Sequence, residues 1–182
     1  PTGEWYAVNA DGTQARPVIF YGTRSAAERS KAVGNARFSL ADPLDEDSRL
    51  VLMEVNYPRS KDGVGTELVQ VDTFTGARKS LARAPRENCS LTLDEKKEAR
   101  YALCFDSQDE TGQYDSVTEL YRREADGSWK LLNKSSGGGK DISVLGTAKD
   151  GTIDATQDDR KVPAAFGTID RTTGEFKSLF QD

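Results

Sequence analysis

One pattern is written four times in this chain. "WYAVNADGTQARPVIFY" turns at Asp11-Gly12, "TELVQVDTFTGARKSLA" at Thr75-Gly76, "TELYRREADGSWKLLNK" at Asp126-Gly127 and "AAFGTIDRTTGEFKSLF" at Thr173-Gly174. Each is an apolar run, a polar step ending in Gly, and a second apolar run. Asp-Gly and Thr-Gly between strand-like runs signal hairpins, because Gly supplies the positive φ of a tight turn without steric cost. A second kind of strand pair lies between successive hairpins. "ARFSLADP" and "RLVLMEVNY" flank "LDEDS", "CSLTLDE" and "ARYALCFDS" flank "KK", and "ISVLGTA" and "TIDATQ" flank "KDG".

Each repeat is therefore two hairpins, with 64, 51 and 47 residues between successive turn glycines. Four antiparallel strands at this period are the unit of a β-propeller blade, whose sheet buries its faces against its neighbours. Burial on both faces accounts for "LVLMEV", which is apolar without alternation. The expected fold class is all-β: a partial β-propeller of about three and a half four-stranded antiparallel blades. We read residues 1–182 as a single propeller portion with a half blade at 5–21 and blades at 36–83, 88–134 and 141–181. The long first period holds "GTRSAAERSKAVGNA", residues 22–36, where Ser25 as N-cap and Gly34 as stop predict a short helix in an inter-blade connection. A closed ring needs at least four blades, so the simplest account is a fragment of a longer protein, and the start at Pro1 without Met fits one.

The composition removes several function classes. The chain has no histidine, which excludes Ser-His-Asp and Cys-His catalysis within it and His-containing zinc sites. There is no G-x-S-x-G elbow, P-loop or G-x-G-x-x-G. "SSGGGK" at 135–140 lacks the strand and the final Ser or Thr of a phosphate cradle, and reads as a connector. With 36% hydrophobic and 30% charged residues the chain should fold, and its net charge of −5 is spread among interspersed Lys, Arg, Asp and Glu. That argues against a nucleic-acid partner or an anionic-membrane patch. No apolar run approaches a membrane helix in length and no charged-then-apolar leader is present, so neither a span nor a targeting segment is expected.

The acidic clusters Asp42, Asp45, Glu46, Asp47 and Asp106, Asp109, Glu110 could supply a glycosidase carboxylate pair or ligate calcium. They fall in turns, where short acidic side chains ordinarily cap their own backbone, and neither matches an EF-hand loop. We expect no catalytic residue, metal or cofactor in this chain. Trp5, Trp129, Tyr6, Tyr21, Tyr57, Tyr101, Tyr114 and Tyr121 could form a binding platform, but aromatics at strand positions more often pack between sheets.

The runs "ARFSLADPLDEDSRLVLMEV", "VDTFTGARKSL", "ARYALCFDS" with "ELYRREADGSWKLL", and "ISVLGTAKDGT" resemble the N-terminal propeller of prolyl oligopeptidase-family serine peptidases, notably bacterial members of the alpha/beta hydrolase type. In that family the propeller caps a C-terminal α/β-hydrolase domain that carries Ser, Asp and His. The resemblance thus implies a non-catalytic propeller that gates or restricts access of peptides or small esters. Its partner would be a hydrolase domain of the same parent chain, absent from these residues. The alternative is a stand-alone exported scaffold that binds a protein or carbohydrate. Either way, exposed blade edges imply self-association.

Cys89 and Cys104 are the candidate disulfide. If the hairpin is symmetric about Lys96 and Lys97, Leu93 faces Arg100, Leu91 faces Ala102 and Cys89 faces Cys104. A direct non-hydrogen-bonded pair brings Cα atoms to about 4.5 Å, within the range a bridge tolerates. The other reading is two buried free thiols, and the shared register line favours the bridge. A bridge would place the protein in an exported, periplasmic compartment.

Overall fold

The computed structural model describes residues 5–19, 36–44, 49–57, 65–105, 117–135, 141–148, 150–158 and 162–181. The helix expected over 22–36 lies outside them apart from Ala36, as does nearly all of "SSGGGK". The described residues form strands joined by turns, with no helix among them. By compactness the chain divides into two units, Pro1–Arg83 and Ala84–Asp182.

In the first unit, β1 (Trp5–Ala7) and β2 (Arg16–Ile19) form a two-stranded hairpin. Strands β3 (Arg37–Asp42), β4 (Leu50–Asn56), β5 (Thr66–Asp72) and β6 (Arg78–Arg83) form a four-stranded sheet in chain order. Phe38, Met53, Val55, Val69 and Val71 project from this sheet into a core with Ile19, against which Trp5, Val18 and Tyr57 pack. On the opposite face Leu52 and Leu68 are also buried. The continuously apolar stretch of β4 is explained by this two-sided burial.

The second unit holds two four-stranded sheets. One is β7 (Cys89–Leu93), β8 (Ala99–Phe105), β9 (Thr118–Arg123) and β10 (Trp129–Ser135). The other is β11 (Asp141–Thr147), β12 (Ile153–Asp158), β13 (Ala165–Ile169) and β14 (Phe176–Gln181). Tyr101, Leu103 and Leu120 of the first sheet pack on Ile142, Ile153, Ala155 and Ile169 of the second, with Leu132, Val144 and Phe176 at the margin. The other face of β7–β10 carries Cys89, Ala102 and Cys104, with Leu91, Tyr121, Trp129 and Ala84 against them.

All three large sheets share one irregularity. The central pairs β4–β5, β8–β9 and β12–β13 keep unbroken register, while the first and last pair of each sheet contain a shift. One shift corrects the expected pairing of Leu93 with Arg100: beyond Thr92↔Tyr101 the register slips, and Leu93 pairs with Ala99. The bulge spends Arg100 as an extra residue, which increases local twist. Leu91 still faces Ala102 and Cys89 faces Cys104.

The turns are made by their side chains. Asp11 Oδ1 accepts from the N–H of Thr13 at 2.9 Å and its hydroxyl at 2.7 Å, and Asp126 accepts from Ser128 in the same way at 2.9 and 2.6 Å. In the Thr-Gly turns, Asp72 Oδ1 takes the N–H groups of Phe74 and Thr75, and Asp170 Oδ1 those of Thr172 and Thr173. The glycine of each turn has φ between +70° and +86°. The β7–β8 turn departs from this rule: Lys97, at φ +61°, occupies the place where the Asp-Gly and Thr-Gly turns have Gly.

Candidate functional site

Within the second unit, an open cleft of about 580 Å³ lies where turns of the two sheets meet. The β7–β8 turn supplies Asp94, Glu95 and Lys96, β8 supplies Arg100 and Tyr101, and the end of β9 supplies Arg122 and Arg123. The facing sheet contributes Thr147, Ala148, Gly151, Arg171 and Thr172. Three hydrogen bonds tie the sheets together around it. The Thr147 hydroxyl donates to the Leu93 carbonyl at 3.1 Å, the Asn133 amide donates to the Gly174 carbonyl at 3.2 Å, and the Arg122 guanidinium donates to the Arg171 carbonyl.

The charges of the cleft are partly consumed by one another. Arg100 Nε contacts Asp94 Oδ2 at 2.6 Å and its Nη2 contacts Glu98 at 3.0 Å, while Arg122 pairs with Glu124 at 2.7 Å. Burial works to raise the pKa of Asp94, but the hydrogen bond from Arg100 and the N–H groups of Glu98 and Lys96 outweigh it, so the carboxyl lies below its ordinary value. Arg123 and Arg171 have no ion-pair partner among the described residues. Tyr101 is buried, which raises its phenol pKa, and the cations of Arg171, Arg122 and Arg100 only partly oppose the rise. A phenol held neutral in this way does not serve as a base. The cleft therefore offers cationic and hydroxyl contacts for a polar group.

Among the described residues two further carboxylates are nearly buried, and they occupy matching places. Glu67 and Glu119 each stand in a Thr-Glu-Leu at the start of the third strand of their sheet. Glu67 accepts from the Ser80 hydroxyl, from Tyr57 at 3.2 Å and from Arg83 Nε at 3.3 Å. Glu119 accepts from Arg86 Nε, Tyr121 and Lys134, each at 2.8 Å. Lys134 foremost, with Tyr121 and Arg86, overrides the desolvation of Glu119 and holds its pKa at about 2. An acid so saturated by donors is a structural tie. The sequence signal was the duplicated "TEL", whose significance shows only when neighbouring strands bring their donors alongside.

Of the acidic clusters, Asp42 is described: its Oδ1 accepts the N–H of Leu44 at 2.8 Å, as a turn cap does. Asp45, Glu46, Asp47, Asp106, Asp109 and Glu110 lie outside the described residues. No group of three or more His, Cys, Asp or Glu side chains able to hold a metal occurs among the described residues. Trp5, Tyr57, Tyr101, Tyr121 and Trp129 pack in or against the cores, whereas Tyr6 is exposed; Tyr21 and Tyr114 fall outside the description. Cys89 and Cys104 stand directly opposite each other with Cα atoms 3.9 Å apart and Sγ atoms at 1.98 Å, bonding distance.

No family model matches the chain, and no curated protein matches it in sequence. Among solved structures, a puromycin hydrolase is similar over 100% of this chain and 28% of its own, with 20% identity and a TM-score of 0.60. TolB from Acinetobacter baumannii is similar over 97% of this chain and 37% of its own, with 15% identity and a TM-score of 0.49. The chain thus spans well under half the length of these structures. Its fold is that of a partial β-propeller.

Proposed function

We propose that this chain is the non-catalytic propeller portion of a serine hydrolase of the prolyl oligopeptidase type, restricting which substrates reach a catalytic domain carried elsewhere in the parent protein. The observation that carries this reading is the match of the whole chain to 28% of a puromycin hydrolase. Its blade sequences resemble the same kind of enzyme. The chemistry of the chain agrees with a wall rather than a reaction centre: it has no histidine, and the two nearly buried glutamates among the described residues are saturated by donors. The resemblance implies a propeller that forms part of the cavity wall and restricts entry to peptides or small esters. The cleft beside Arg123 and Arg171 is suited to contact with such a substrate. The Cys89–Cys104 geometry supports an exported, periplasmic setting, because cytosolic thiols are kept reduced.

The reading frame beyond the Asp182 codon tests this proposal. A downstream G-x-S-x-G on a strand-turn-helix pattern, followed by Asp and His, supports it, and the joined protein should then hydrolyse aminoacyl amides. A stop codon directly after Asp182 would overturn it and leave a stand-alone binding scaffold.

A further inference from the structure

The cleft between the turns of β7–β10 and β11–β14 holds a polar group that packing alone does not explain. Tyr101 is 5% exposed, yet its hydroxyl has no hydrogen-bond partner among the described residues. A buried phenol ordinarily finds one. The hydroxyl is not sealed from solvent, and the residue lines the cleft. It is a donor held ready in the cleft wall. Both walls belong to sheets of one unit that pack directly on each other, so the shape of the cleft does not depend on what precedes or follows them.

Two of the guanidinium groups around Tyr101 are already engaged: Arg100 pairs with Asp94 and Glu98, and Arg122 with Glu124. Arg171 has no ion-pair partner among the described residues, and of the neighbouring cations it acts most strongly on the phenol. Gly151 makes room for it, since a Cβ there would run into Arg171 Nη1 and lie 3.2 Å from its Cζ. The carboxylates nearest this cation, Asp150 and Asp170, turn an oxygen to their own backbone: Asp150 accepts the N–H of Thr152 at 2.8 Å, and Asp170 those of Thr172 and Thr173 at 2.8 Å.

We infer that Tyr101, Arg171 and Thr172 form a binding site for one carboxylate, carried by a peptide. A guanidinium presents parallel N–H groups to the two oxygens of a carboxylate, and the hydroxyls of Tyr101 and Thr172 donate to the lone pairs that remain. Burial keeps the phenol protonated, the form that donates. The surplus of positive charge is small, because Glu95 offsets Lys96 on the β7–β8 turn and Asp150 and Asp170 lie close to Arg171. One negative charge suits it better than the two of a phosphate. That a peptide carries the carboxylate rests on the hydrolase reading; that the cleft takes a carboxylate rests on these residues alone.

Titration of the full chain with N-acetyltriglycine, as free acid and as amide, followed by backbone amide shifts in nuclear magnetic resonance, tests this. The acid is expected to move the N–H signals of Lys96, Gly151 and Thr172, and the amide to bind at least tenfold more weakly. Arg171→Gln should weaken the acid at least tenfold and Tyr101→Phe several-fold, both with unchanged far-ultraviolet circular dichroism. Lys130→Gln removes the same charge from an exposed site outside the cleft and should leave binding as it is. Acid and amide that bind alike, no binding of the acid, shifts confined to another face, or indifference to both Arg171→Gln and Tyr101→Phe overturn the inference. Inorganic phosphate that binds the same residues more tightly than the acid also overturns it. The outcome is separable from that of the reading frame: acid binding by a chain whose frame stops after Asp182 removes the hydrolase and keeps the site, while a downstream catalytic domain without acid binding does the reverse.

Discussion

At the scale of single residues, Lys97 and Glu119 show how a rule and its exception are written into one repeat. Lys97 holds φ +61° where the Asp-Gly and Thr-Gly turns use glycine. A left-handed conformation costs an L-residue roughly 1–2 kcal/mol, and the extra backbone entropy of glycine returns about 0.5–1 kcal/mol of that. Lys97→Gly should therefore stabilise the chain by about 0.5–1 kcal/mol, read as a higher denaturant midpoint at unchanged slope; a lower midpoint would show that the Lys97 side chain contributes more than its backbone costs. Glu119 makes a prediction in pH. Its folded pKa is depressed from 4.5 to about 2, so its ties stabilise the fold fully above the ordinary glutamate range and are lost as pH falls through that range toward 2. The shift corresponds to about 3 kcal/mol as an upper figure, at 1.36 kcal/mol per unit. Glu119→Gln should thus be much less stable than the parent near neutrality and nearly equal to it near pH ~2. A gap between the two denaturation curves that stays constant with pH would refute this account of Glu119.

At the scale of strands and turns, the bulges matter most. Gly167 lies beside the shift in β13–β14, and a Cβ there would run into the Lys177 carbonyl oxygen and meet the Phe176 ring at 2.8 Å. Gly146, beside the shift in β11–β12, has nothing within 4 Å of its Cβ position. Gly167→Ala should cost about 1–3 kcal/mol or more, as overpacking does, while Gly146→Ala should stay within about 0.5 kcal/mol; thermal melts of the two variants that moved alike would contradict the contact geometry. These elements also mark how far the sequence could be read. The hairpins were legible because Asp-Gly and Thr-Gly leave the backbone little choice, and the Cys89–Cys104 register because a hairpin counts outward from its turn. The slip at Leu93 was not legible. A bulge is set by twist and by what Arg100 gains from Asp94 at 2.6 Å, and neither appears in a residue count. The cleft was equally hidden, since it joins residues from four separate turns and strand ends, and no local pattern marks Arg122 and Arg171 as neighbours.

At the scale of the whole molecule, the chain carries its own reporters. It has two tryptophans: Trp5 packs on the core of the first unit, and Trp129 packs in the second unit on the cluster that holds Cys89 and Cys104. A disulfide closing a separation of 15 residues restricts the unfolded chain, which in the chain-entropy model contributes about 3 kcal/mol. Reduction should therefore act first on what Trp129 sees. In a Trp5→Phe variant, where Trp129 alone emits, reductant should lower the unfolding midpoint and brighten the native fluorescence, because a disulfide beside an indole quenches it. In a Trp129→Phe variant the Trp5 signal of the native state should keep its intensity, since the disulfide does not belong to its cluster. The chemistry is checked separately by intact mass after alkylation in denaturant: a bridged chain takes up no label without reductant and two labels with it. Two labels without reductant would mean free thiols, and would remove both the stability ascribed to the β7–β8 hairpin and the argument for an exported protein.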